Sequence, residues 1–93
     1  MTQMDKMLKI MLENKQIKKW SAKDFQSGEW FIGYEASARM SDLVRLYPDL
    51  FILERDGKFR ILRINWKEKK MIKKIKKELK EKIKGDKNEY GNI

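Results

Sequence analysis

Ninety-three residues make one domain, and a chain this short buries only about 60–65% of its unfolded surface, which argues against a deep catalytic cavity. Lysine and arginine number 23 against 14 aspartate and glutamate, a net charge of +9 with a pI near 9.8, so anionic partners are the first expectation. With no cysteine and no histidine there is no disulfide framework or thiolate metal site, and the usual proton shuttle and zinc ligand are missing. No Gly-rich phosphate loop is present either, so the reading is non-enzymatic, with no cofactor and no metal.

The N-terminal apolar residues Met4, Met7, Leu8, Met11 and Leu12 follow a helical stripe, and Thr2 and Asp5 have the spacing of a capping box. This first helix is expected to end near Asn14. Asp5, Lys6, Lys9 and Glu13 interrupt the apolar residues, which fits neither a signal peptide nor a transmembrane span. The expectation is a cytoplasmic protein with no membrane partner. Ile17 to Trp20 is short and extended in character. Ser21 and Asp24 then give an N-cap followed by an acid three residues on, opening a short second helix through Phe25 that Gly28 stops. Trp30, Phe31 and Ile32 form a connection that packs onto the core, and Gly33 lets the chain bend.

From residue 34 to 47, Ala36, Met40, Leu43, Val44 and Tyr47 recur at intervals of three and four, the apolar face of a third helix. Tyr34, Ala38, Ser41 and Arg45 occupy the opposite face, with Ser37 and Asp42 on its flanks. Glu35 and Asp42 balance Arg39 and Arg45, so this helix is electrically neutral. After Pro48, residues 50–54 and 58–64 read as two strands hinged at Asp56-Gly57. Phe59 and Ile61 share one strand face while Leu62 and Ile64 share the other. A bulge, or burial of both faces beneath the C-terminal helix, accounts for that change of phase.

Residues 67–84 hold ten of the 23 basic residues and three of the 14 acidic ones, and all ten are lysine. Asn65 and Glu68 have capping-box spacing, and Met71, Ile72, Ile75, Leu79 and Ile83 fall within an arc of roughly 120° on a helix that Gly85 is placed to terminate. This stripe can pack back on the first helix, pair with the same helix of a second subunit, or lie on an anionic membrane. A homodimer through these five residues is favoured because it suits two half-sites on DNA. The membrane reading lacks aromatic anchors within residues 67–84. The expected organisation is therefore residues 1–66 as a folded domain, 67–84 as a basic amphipathic helix and 85–93 as a flexible tail.

The order helix, short strand, helix, turn, helix, hairpin, with Ala38-Arg39-Met40-Ser41-Asp42-Leu43, Tyr47-Pro48-Asp49 and Arg55-Asp56-Gly57-Lys58, resembles the small winged helix-turn-helix proteins encoded by phages and other mobile elements. More distantly it resembles winged-helix repressors, and the resemblance covers Met4 to Asn65. It implies an α+β fold of three helices and a β-hairpin wing, with the C-terminal amphipathic helix added. It also implies binding of double-stranded DNA, with regulation of transcription or replication. The third helix would enter the major groove and turn Tyr34, Ser37, Ala38, Ser41 and Arg45 towards DNA, Arg45 reaching a guanine and Ala38 a thymine methyl. Lys58 and Arg60 in the wing, with Lys23 at the second helix, would meet phosphates. The neutral third helix keeps an alternative open, a protein-interaction module or inhibitor that binds a host or defence protein instead of DNA.

Overall fold

The computed structural model describes residues 2–91, with side chains through residue 82. Helix α1 runs Gln3–Glu13, and its start is fixed by the expected box: the Asp5 N–H donates to the Thr2 hydroxyl and the Thr2 N–H to the Asp5 carboxylate. At its other end the Asn14 side chain donates to the Ile10 carbonyl at 2.7 Å. Strand β1 is only Trp20–Ser21, shorter and later than the extended run expected from Ile17. Trp20 determines where pairing begins, because it is buried opposite Leu62 while the residues before it have no strand partner.

The expected second helix is a single 3-10 turn, Ala22–Phe25, followed by another at Gly28–Trp30. Six residues between the capping Ser21 and Gly28 at φ 75° leave too little length to propagate an α-helix. Helix α2 spans Ala36–Leu46, so Tyr34 and Glu35 lie in the turn before it. Gly33 makes that turn at φ 143°, where a Cβ would run into the side chain of Gln3.

Strands β2 (Phe51–Asp56) and β3 (Phe59–Ile64) form a hairpin, and β3 is the central strand of an antiparallel sheet ordered β1-β3-β2. Asp56 pairs with Phe59, so the two central turn residues are Gly57 and Lys58. Gly57 has φ 62° and Lys58 does not share that sign, the pattern of a type II′ turn. The register runs without interruption from Phe51↔Ile64 to Asp56↔Phe59, so no bulge explains the change of phase. Leu62 and Ile64 face the core, whereas Phe59 lies half-exposed on the outer face under Lys23, whose Nζ is 4.6 Å from the ring centroid.

Helix α3 runs Lys69–Gly91 and packs chiefly on α1. It passes through Gly85, since a glycine inside a helix weakens it by about 1 kcal/mol and does not by itself stop it. Residues 85–91 are thus helical where a tail was expected, and residues 92 and 93 lie outside the described residues. Ile72, Ile75 and Leu79, expected at a subunit interface, are buried in the chain's own core with Met7, Met11 and Leu12. Met71 is half-buried beside them, and the Ile83 side chain lies outside the described residues. Each such buried aliphatic side chain contributes about 1.5–3 kcal/mol, enough to hold a lysine-rich helix against the domain.

One ion pair ties the two helices together. Asp5, 4% exposed, accepts from Lys82 Nζ at 3.0 Å. Burial raises the Asp5 pKa, but hydrogen bonds from Lys82 and Thr2 outweigh it and hold the carboxyl below its ordinary value. The hydrogen bond to Asp5 holds Lys82 above its own. The result is an α+β domain of three helices and a small antiparallel sheet, compatible with the layout the resemblance implies. Among the described residues no helix is long and apolar enough to cross a membrane.

Candidate nucleic-acid interface

Where the 3-10 turn, the hairpin tip and the start of α2 meet there is a cleft of about 340 Å³, lined by Ser21, Ala22, Lys23, Ser37, Lys58, Phe59 and Arg60. Two segments, the 3-10 turn and the hairpin, supply its cations. Lys23 sits on the 3-10 turn, which is fixed where the Ser21 N–H donates to the Asp24 carboxylate at 2.8 Å. Lys58 occupies the second central position of the hairpin turn. Arg60 shares the strand face of Leu62 and Ile64 but lies beyond the core, so its side chain crosses from the wing to α2. There Arg60 Nη1 donates to Ser41 Oγ at 3.1 Å, and that hydroxyl donates to the Ser37 carbonyl at 3.3 Å.

The lining of the cleft contains no carboxylate. Among the described residues, no carboxylate lies within 4.0 Å of Lys23, Lys58 or Arg60. On α2 itself the charges are tied up instead. Asp42 accepts from Arg45 Nη2 at 3.1 Å and lies 3.1 Å from Arg39 Nε, so one carboxylate serves two guanidinium groups. The Arg45 side chain remains 75% exposed, and a surface pair of this kind is worth only about 0–1 kcal/mol, so a stronger bidentate partner can displace Asp42.

Of the eight residues expected to face DNA, Lys23, Ser37, Lys58 and Arg60 line the one cleft and Ser41 anchors Arg60 at its edge. Ala38 and Arg45 follow along the exposed face of α2, away from Met40 and Leu43, which are buried. Tyr34 stands apart: it precedes the helix, is 82% exposed and meets Phe31 edge-on with ring centroids 5.4 Å apart. Sequence reasoning missed Phe59 as a wall of the cleft because a strand phenylalanine reads as core. The signal available was parity, since Phe59 stands one residue out of step with Arg60, Leu62 and Ile64. Among the described residues, no group of three or more carboxylate, histidine or cysteine side chains is placed to hold a metal ion.

The arrangement offers three cations and two hydroxyls at the mouth of a groove beside an exposed helix face, which is chemistry for binding phosphate oxygens. No protein-family model matches the chain, and neither does any curated protein or solved structure compared with it.

Proposed function

We propose that the chain is a non-enzymatic DNA-binding protein of winged helix-turn-helix design, a cytoplasmic regulator of transcription or replication of the kind that phages and other mobile elements encode. The exposed face of α2 docks in the major groove of double-stranded DNA, with Ala38 and Arg45 towards base edges, and the hairpin lies along the backbone. The observation that carries this reading is the cleft where Lys23, Lys58 and Arg60 converge with no carboxylate partner among the described residues. A phosphate entering there meets the Arg60 fork already aimed by Ser41, so little side-chain freedom is lost on binding.

Selection of bound duplexes from a random pool, followed by titration of the winners, tests the reading. Arg45→Ala is expected to relax preference at one base pair at a cost of about 1–3 kcal/mol, whereas Lys58→Ala weakens all duplexes alike. Selected and random duplexes that bind Arg45→Ala and the unaltered protein with the same ratio of affinities would remove the major-groove assignment.

A second reading has its own support. Leu46 is 55% exposed at the C-terminal end of α2, Tyr34 stands clear at the other end, and between them Asp42 pairs with both Arg39 and Arg45. A surface that is neutral and apolar at both ends suits a protein partner such as a host or defence protein. Under that reading Leu46→Asp and Tyr34→Ala abolish partner capture while duplex affinity stays flat with salt.

A further inference from the structure

We infer that a second site for the phosphodiester backbone of nucleic acid, blind to sequence, lies at the base of the hairpin, where Lys15, Lys69, Lys73 and Lys76 surround Trp66. These five residues and Ile72 line a groove of about 300 Å³ between the end of α1 and the first turns of α3. Ile72 is buried in the core and forms its floor. Lys15 Nζ stands 5.5 Å from the Trp66 ring centroid, so the indole holds that ammonium over the groove. Asn65 sets the turn that carries Trp66: its side chain accepts the Lys67 N–H at 3.2 Å and its carbonyl accepts the Glu68 N–H at 3.1 Å.

The charge pattern separates this groove from the others along α3. The surface beside Lys70 and Lys74 includes Glu68 and Glu78, and the one beside Lys76 and Lys80 includes Glu13, which pairs with Lys9. The Trp66 groove has four ammonium groups and no acid in its lining, and among the described residues none of the four has a carboxylate within 4.0 Å. Four like charges around one concavity repel each other, and a polyanion laid through it relieves that repulsion while releasing its own counterions. Lysine, a point charge without a planar fork, suits phosphate and not base edges. An anionic membrane is the weaker fit, because an interfacial helix inserts its apolar stripe and Ile72, Ile75 and Leu79 are committed to the core.

The groove is distinct from the cleft at the wing. The two share no residue, and they lie at opposite ends of β3, about 20 Å apart at roughly 3.3 Å per residue. The site therefore does not depend on the cleft contacting DNA.

The test compares salt dependence of binding to a random-sequence duplex for three full-length variants checked for native circular dichroism. One carries Lys15→Gln, Lys69→Gln, Lys73→Gln and Lys76→Gln. The second loses the same charge elsewhere on the helix, by Lys70→Gln, Lys74→Gln, Lys77→Gln and Lys80→Gln. The third removes the cleft cations, Lys23→Gln, Lys58→Gln and Arg60→Gln. The groove variant is expected to bind about 10- to 100-fold more weakly at low salt, with the logarithmic slope reduced by about 3 to 4, and the second variant to change it far less. Equal losses in these two, or an unchanged slope in the groove variant, overturns the site. A groove variant that releases phosphatidylserine vesicles but not duplex also overturns it. If the cleft variant alone leaves binding intact, the wing reading fails while the groove stands.

Discussion

The wing cleft and helix α3 both present positive charge, but they reach it by opposite routes. In the cleft three cations from two segments are brought together by hairpin register, a 3-10 turn and one serine hydroxyl. On α3 the lysines are numerous and local, filling the face left over once Ile72, Ile75 and Leu79 are buried. If the proposed reading holds, position would give the first region selectivity and charge would give the second affinity. Under the proposed reading, the cleft's few cations orient a duplex, and the lysines grouped around Trp66 hold the backbone of any polyanion.

The contrast can be broken hardest at the α3 stripe. Ile75→Ala empties a core position shared by α1 and α3 and is expected to cost about 2–5 kcal/mol in urea unfolding. Arg60→Gln, on the exposed wing, should stay within about 0.5 kcal/mol of the unaltered protein in the same experiment. The two residues then separate cleanly: one region's key side chains hold the fold, and the other's are free to bind. Equal stability loss in both would mean that Arg60 is structural and the cleft is not spare surface.

A smaller effect sharpens the same point at the Asp5–Lys82 pair. The Asp5 carboxyl is held below its unfolded value, so its contribution is present above about pH 4 and is lost as pH falls through the lowered folded value. Lys82 is held above its unfolded value, so its contribution is present below about pH 10 and is lost as pH rises through the raised one. Lys82→Met should therefore flatten the acid limb of the stability profile below about pH 4. The loss should stay under about 1 kcal/mol, because the Lys82 side chain is half-exposed and screened. An acid limb as steep as that of the unaltered protein would show that Thr2 alone sets the Asp5 shift.

What the amino-acid sequence made legible was mostly local. The Thr2–Asp5 box and the face of Met40 and Leu43 depend on residues within one or two turns of chain and stand where they were expected, while the hairpin turn falls one residue later, at Gly57-Lys58. The 3-10 character of Ala22–Phe25 was hidden because a cap signal marks where a helix starts and not how far it propagates. Amphipathicity in α3 showed that a stripe must be buried but could not say against what, and the answer is α1 of the same chain. Both cationic sites join residues distant in sequence, Lys23 with Arg60 and Lys15 with Lys73, and only the packed sheet and helices bring them together.

The central claim is that the cleft binds phosphate, and duplex affinity measured from low to moderate salt tests it most directly. With Lys23→Gln, Lys58→Gln and Arg60→Gln combined, the slope of log affinity against log salt is expected to fall by about 2 to 3, close to 0.9 per lost phosphate contact. An unchanged slope and affinity in that variant would contradict the account.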